Sequence, residues 1–280
     1  MQERTLISVN ALRALMRSGE PLVLLDCGFD LVDTAAGARA HAQGHLPGAF
    51  HADLDRDLSS ARNGRNGRHP LPTRETFAAT VARWGVKPGV AVVCYDDQGS
   101  AYAARAWWML RWIGHDEVAV LDGGKAAWIA AGGALEQSQP ALRTAAEPHP
   151  LGPVASMPTV QAEQLLGQTA RTIVDARSAE RFRGEVEPLD PVAGHIPGAR
   201  NRFHKDNLAA DGRFKPAAEL RAAFEALQPD ASRVVHQCGS GVTACHNLLA
   251  MEHAGLKGSA LYPGSWSEWC ADPSRPVATG

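Results

Sequence analysis

GHLPGA at residues 44–49 returns as GHIPGA at 194–199, 150 residues later, and the landmarks around it return in the same order. LVLLDCG, whose apolar run ends at Asp26, is matched by RTIVDAR, which carries Asp175 at an offset of 149. GVAVVCYDDQG around Val92 is matched by ASRVVHQCGSG around Val234 at an offset of 142. VLDGGKAAW, ending at Trp128, is matched by LYPGSWSEW, ending at Trp269, at an offset of 141. Conserved order at a nearly constant offset marks an internal repeat. Each half then follows one plan: a strand, a Gly-His-x-Pro-Gly turn, a helix, a strand, a helix, a strand and a final helix. Short apolar strands alternating with helices predict parallel pairing, because parallel crossovers need a connecting element, so each half reads as an α/β layer structure. Residues 137–157, QSQPALRTAAEPHPLGPVASM, lose periodicity and collect four prolines, which predicts a linker between domains at 1–136 and 158–280. PAAELRAAFEALQ (216–228) has helical spacing of Leu220, Phe224 and Leu227, whereas SAYAARAWWMLRWIGH (100–115) is too apolar for a surface helix. Its Trp107, Trp108 and Trp112 are expected to pack in the core or between the halves rather than hold a cofactor.

A chain of 280 residues suits two modest domains, each able to bury a core. With 28 basic against 30 acidic residues, the formal charge of −2 gives no electrostatic reason to expect nucleic acid or an anionic membrane as partner. Small substrates or neutral protein partners fit better. The start, MQERTLISVNALRALMRSGE, lacks the pattern of a signal peptide, and no stretch approaches eighteen apolar residues, so a cytoplasmic protein is expected. Five scattered cysteines (27, 94, 238, 245 and 270) point to reduced thiols rather than a disulfide framework.

One of those cysteines stands apart by position. After Val234 and Val235 the chain meets Cys238, Gly239, Ser240 and Gly241, then enters a helix expected from about Val242 to Ala254. The first turn of a helix has unpaired N–H groups and a partial positive charge, and glycines let the backbone curl around an anion. A cysteine held in such a cradle is expected to be more acidic than a free thiol, and the thiolate is the nucleophile. Ser240 and Thr243 add hydroxyl donors to the pocket. Two rivals fall on sequence. Cysteine-dependent phosphatase loops need an arginine six positions after the cysteine, and that position is Ala244. His236, Cys238, Cys245 and His246 form no compact ligand pair of the usual zinc spacing, so no metal is expected.

CGSGVT (238–243), GHIPGA (194–199), DARSAERFRG (175–184) and GSWSEW (264–269) resemble the second domain of the two-domain rhodanese family, and GHLPGA, HPLP, RAWWMLR and LDGG resemble its first. The loop is similar to that of the 3-mercaptopyruvate sulfurtransferase branch. The resemblance implies two tandem rhodanese-like domains, each a mainly parallel sheet flanked by helices, the first inactive because Tyr95, Asp96 and Asp97 stand where Cys238 has its counterpart. It implies that Cys238 takes a sulfur from an anionic donor as a persulfide and yields it to thioredoxin, a small thiol or cyanide, without metal or organic cofactor. Donor binding then falls to Arg181 and to the loop residues Gly239, Gly241, Val242 and Thr243, and alternation in an extended segment would aim Arg183 with Arg181. A relay of Ser240, His69 and Asp55 is implied as the proton path. The branch also carries a second arginine in the acidic segment before GHIPG. Here that segment is GEVEPLDPVAGHIPG, with Leu189 and Asp190 at that place and no arginine between Arg183 and Arg200, which leaves thiosulfate open as an alternative donor. A persulfide carrier without turnover would use the same loop. His45 and His195, and Asp26 and Asp175, recur in both halves while only one half has the thiol, so these four read as structural.

Overall fold

Apolar runs without alternation become the central strands of two all-parallel sheets, because strands covered on both faces need no polar side. A computed structural model of the chain describes residues 4–144, 146–167 and 170–280. It divides into two units, the first holding residues up to Ser60, Pro72–Ser156 and Asp211–Arg213, the second Ala61–Leu71, Met157–Ala210 and Phe214–Gly280.

In the first unit the elements run β1 (Leu6–Ile7), α1 (Val9–Ser18), β2 (Leu22–Asp26), α2 (Ala36–Gln43), β3 (Ala49–His51), α3 (Arg74–Arg83), β4 (Ala91–Tyr95), α4 (Ala103–Trp112), β5 (Val118–Leu121) and α5 (Gly124–Ala130). The sheet order is β1-β5-β4-β2-β3, with β2 and β4 in register from Leu22↔Ala91 to Asp26↔Tyr95. Local chemistry sets the ends of α1: the Ser8 hydroxyl accepts the N–H of Ala11, and Gly19 closes the helix at φ 74°. Ile7, Leu12, Leu24, Val93, Leu121 and Trp128 pack one core on this sheet. Trp107 and Trp108 are fully buried in α4, Trp108 stacking on Trp112, and the Trp107 indole donates to the Arg4 carbonyl at 2.9 Å.

The second unit runs β6 (Thr172–Asp175), α6 (Ala179–Arg183), β7 (Arg200–Asn201), α7 (Ala217–Glu225), β8 (Val234–Gln237), α8 (Ala244–His253), β9 (Ala260–Leu261) and α9 (Ser265–Trp269). Its order, β7-β6-β8-β9, is that of β3-β2-β4-β5, and a parallel bridge of Thr159 to Leu261 stands where β1 meets β5. Ile173, Val235, Ala260, Tyr262, Trp266 and Trp269 form its core.

The repeat holds at the level of topology, with two additions to the expected plan. A helix, α2 or α6, precedes each Gly-His-x-Pro-Gly turn, and a short strand, β3 or β7, follows it. The helix supplies the crossover that lets the short strand pair in parallel with β2 or β6. ERFRG is therefore helical, not extended: Gly184 caps α6 at φ 79°, and Arg183 turns outward to pair with Glu185. Both turn histidines fix their loops alike. The His45 and His195 N–H groups bond to the carbonyls of Glu136 (3.0 Å) and Ala278 (2.8 Å). Their Nδ1 atoms lie 2.7 Å from the carbonyls of His41 and Phe182, whose rings stack on them at 3.8 Å.

Candidate active site

Strand β8 ends at Gln237, whose carbonyl takes the N–H of Ala176, and delivers Cys238 to the head of the sheet. The loop is then pinned from α9. The Cys238 N–H donates to the Ser265 hydroxyl (3.1 Å), which itself donates to the Tyr262 carbonyl, while the N–H groups of Trp266 and Ser267 hold the carbonyls of Cys238 (3.0 Å) and Gly239 (2.9 Å). Gly241 is at φ +78°, and a Cβ there would lie 2.3 Å from the Pro263 carbonyl oxygen, so only glycine fits the bend. The Cys245 thiol donates to the Gly241 carbonyl at 3.3 Å. Helix α8 starts at Ala244, two residues later than the spacing predicts, with Thr243 as its cap residue. Among the described residues, the N–H groups of Gly239, Ser240, Val242 and Thr243 have no hydrogen-bond partner. Cys238 itself is buried.

The same place in the first unit belongs to Asp96, which follows β4 as Cys238 follows β8. The Cys27 N–H bonds to the Tyr95 carbonyl, and the Lys125 N–H to the Asp96 carbonyl, repeating the bonds of Ala176 and Trp266. Here the side chain is a carboxylate, and it accepts the N–H groups of Gln98 (2.9 Å), Ser100 (2.8 Å), Tyr102 (2.9 Å) and Ala103 (2.9 Å). Burial pushes the Asp96 carboxyl up while these bonds pull it down, and burial wins.

Three guanidiniums lie near the Cys238 loop. Arg181 turns one edge to Glu187, with Nη2 at 2.7 and 2.9 Å from its two oxygens, and stands 3.5 Å from Asp190. Glu187, rather than Glu180 or Glu185, is thus its structural partner. Burial opposes the charge of Glu187, but the Arg181 bonds hold its carboxyl below the usual range. The other edge of Arg181 faces the loop: Nη2 and Nη1 lie 3.5 and 3.6 Å from where a Cβ on Gly239 would stand. Arg68 reaches the same point, its Nη2 at 2.8 Å, with Nη1 paired to Asp190. Arg177 lies beneath, 3% exposed, bonded to Asp175 (2.7 Å), Glu187 (3.3 Å) and the Gly194 carbonyl (2.7 Å), and laid over the Trp266 ring at 4.9 Å. Burial disfavours its charge, yet Asp175 and Glu187 together hold its pKa above the ordinary value. Its counterpart in the first unit is Gly28, whose N–H bonds to Asp26 as that of Arg177 bonds to Asp175.

His69 is buried, not solvated, with Nδ1 2.7 Å from the Ser240 hydroxyl. Asp55 lies half-buried in the first unit, in a turn where its N–H bonds to Asp53. The structure thus brings Cys238, Ser240, His69, Arg181 and the four loop residues together, and Arg183 stands apart. Among the described residues no group of three or more His, Cys, Asp or Glu side chains is placed to hold a metal ion. Arg68, Arg177 and Ser265 were missed by sequence reasoning. Two signals pointed to them: NGRH at 66–69 is echoed by DGRF at 211–214, and the repeat sets Arg177 against Gly28.

The rhodanese-like domain model matches residues 8–131 and again 159–272. A probable 3-mercaptopyruvate sulfurtransferase of Pseudomonas aeruginosa is 50% identical, with 100% of both chains covered. A provisionally named thiosulfate sulfurtransferase of Mycobacterium tuberculosis is 43% identical over 100% of this chain and 99% of that one. Among solved structures, the 3-mercaptopyruvate sulfurtransferase from Leishmania major superposes with a TM-score of 0.81 at 32% identity, covering 96% of this chain and 75% of that one. With the same sheet order twice over and a single thiol at the head of one sheet, the chain belongs to the rhodanese-like family as a tandem pair of its domains.

Proposed function

We propose that the protein is a sulfurtransferase that takes the sulfur of 3-mercaptopyruvate onto Cys238 and passes it to a thiol or cyanide. The Cys238 thiolate attacks the donor sulfur, the carbon–sulfur bond breaks, and its electron pair leaves as the enolate of pyruvate. The proton that sat on the donor sulfur ends on the enolate carbon, and a persulfide anion remains on Cys238. An acceptor thiolate or cyanide then attacks the outer sulfur and restores the Cys238 thiolate. Unpaired loop N–H groups stabilise the anionic outer sulfur. Gly239, Gly241, Val242 and Thr243 supply the cradle, and Arg181 binds the donor carboxylate.

The observation that carries the mercaptopyruvate reading is the 2.7 Å hydrogen bond between His69 and Ser240, beside Cys238. Mercaptopyruvate needs a proton moved from sulfur to carbon, and a hydroxyl bonded to an imidazole is a path for it. Thiosulfate needs no such transfer. Asp55 is proposed to orient His69 as the last member of the relay. Thiosulfate remains the second reading on one observation: Asp190 stands where an arginine would be expected for mercaptopyruvate. Thioredoxin or a small thiol is the proposed acceptor, and five unbridged cysteines support a reducing compartment such as the cytoplasm.

The deciding experiment gives the purified protein 3-mercaptopyruvate and follows pyruvate release and intact mass. One sulfur gained on Cys238 with stoichiometric pyruvate is expected. Loading from thiosulfate alone would overturn the choice of donor, and loading from neither would overturn the enzyme.

A further inference from the structure

Among the described residues only two that are not glycine hold the backbone at positive φ, Ser100 in the Asp96 loop and Ser265 at the start of α9. Ser265 stands at φ 53°, where a Cβ crowds the backbone and glycine is the unstrained choice. The repeat contains that choice. LDGGK (121–125) matches YPGSW (262–266), so Gly124, at φ 59°, is the counterpart of Ser265. In the first unit a Cβ at Gly124 would lie 2.2 Å from the Asp96 carbonyl oxygen, so the loop closes over bare backbone. The second unit gives both the room and the strain to a serine, in the half that carries the thiol.

The hydroxyl accounts for the difference. Ser265 is fully buried, donates to the Tyr262 carbonyl at 3.0 Å and accepts the Cys238 N–H at 3.1 Å. A hydroxyl has one hydrogen, so the bond to Tyr262 leaves its lone pairs for Cys238. Tyr262 is itself fixed, its N–H donating to the His236 carbonyl at 2.9 Å. A closed bridge thus runs from β8 through Tyr262 and Ser265 back to the residue two places further along. The other ties between this loop and α9 are backbone to backbone, from the Trp266 and Ser267 N–H groups to the Cys238 and Gly239 carbonyls. The first unit keeps the bond from Lys125 to Asp96 with no hydroxyl at 124. Shaping the corner therefore needs only backbone contacts, and what the hydroxyl adds is a hold on the N–H beside the thiol-bearing carbon.

We infer that Ser265 is a positioning residue for Cys238, and that its left-handed strain is kept for the sake of that hold. Strain of this kind persists where the surroundings over-determine it, and it gathers at working sites. Fixing the Cys238 peptide group fixes the direction of its Cα–Cβ bond, and with it the line along which sulfur meets a donor. The inference rests on the reading of Cys238 as the nucleophile.

Ser265→Gly and Ser265→Ala separate the hydroxyl from the strain, since glycine removes both and alanine removes only the hydroxyl. With 3-mercaptopyruvate, both variants are expected to lose kcat by a similar factor of roughly tenfold or more, with KM within about twofold of wild type. Thermal melting is expected to order them differently, Ser265→Gly above Ser265→Ala, because glycine alone relieves the backbone. A glycine variant with wild-type kcat overturns the inference. So does a loss confined to KM, or a loss of rate that follows melting temperature across the three proteins, which would mark a structural role. If wild-type protein releases no pyruvate, the mercaptopyruvate reading fails separately, and the rate at which thiosulfate loads Cys238, read by intact mass, decides the serine. Loading slowed about tenfold in both variants supports it, whereas a wild-type rate in Ser265→Gly, or no loading of wild-type protein, overturns it.

Discussion

Asp96 and Cys238 stand at the same place in the two units, each after a central strand of its sheet and each with its carbonyl held by the first turn of its unit's final helix, α5 or α9. Around Asp96 four N–H groups close on a carboxylate that is part of the chain. Around Cys238 the N–H groups of Ser240 and Val242, which match those of Gln98 and Ser100, have no partner among the described residues. The neighbours differ in the same sense. Where the first unit has Gly28, the second has Arg177, and a buried guanidinium lies under the thiol. One backbone geometry therefore serves two ends: filled by its own anion it is a stabilising cap, and without one, beside cations, it suits the anion that the proposed function brings to it.

Swapping features between the loops is the way to break that comparison. Cys238→Ser removes the nucleophile and should lower pyruvate release by roughly a thousandfold or more, with no sulfur gained in intact mass. A residual rate within tenfold of wild type would place the chemistry elsewhere. Arg177→Met leaves Asp175 buried without its partner and should cost about 3–5 kcal/mol of stability in chemical denaturation, whereas Gly28 shows that the first unit needs no cation there. His69→Ala should lower mercaptopyruvate turnover by roughly a hundredfold while Cys238 still loads from thiosulfate at the wild-type rate, and equal losses would remove the relay. Asp96→Asn keeps the shape of the capped loop but gives up its charge, and should cost about 1–3 kcal/mol with kcat/KM unchanged.

The smallest effect concerns His236, two residues before Cys238, which matches Cys94 in the first unit. Burial, with the nearby Arg202, holds His236 down at about 3. The unfolded chain takes up a proton near pH 6.5 and the native one does not, so the stability this residue allows is complete above pH 6.5 and is lost as pH falls toward 3. His236→Cys, borrowing the first unit's residue, should reduce the slope of stability against pH between 6 and 4 by about one proton, or about 1.4 kcal/mol per pH unit. An unchanged slope would mean that His236 is charged in the native protein.

The fold was legible because the repeat is: apolar runs ending at Asp26, Tyr95, Asp175 and Gln237 became the central strands, and constant offsets carried their order. Cys238 was legible because strand, glycine loop and helix are contiguous in the chain. Residues that act across long separations were not. His69 and Ser240 are 171 positions apart, and the resemblance rather than the pattern linked them. Arg68 lies in the arginine-rich stretch ARNGRNGR, whose composition reads as solvated, and only the packing of 61–71 into the second unit takes it out of water. Arg177 carries no local sign of its role, because its two acidic partners, Asp175 and Glu187, sit on opposite sides of a helix in the sequence. The five residues of α6 carry too little periodicity to announce a helix, so Arg183 was aimed by the wrong geometry.

The exchange of post-turn loops carries a consequence for inheritance. Ala61–Leu71 is encoded in the half whose own loop holds a carboxylate, yet it is counted among the residues of the unit that holds the thiol. A gene trimmed to residues 158–280 would keep Cys238 and Arg181 and discard Arg68 and His69 together. On the proposed relay through His69, loss of the first half would cost the second its chemistry, and the two halves of the duplication would evolve as one.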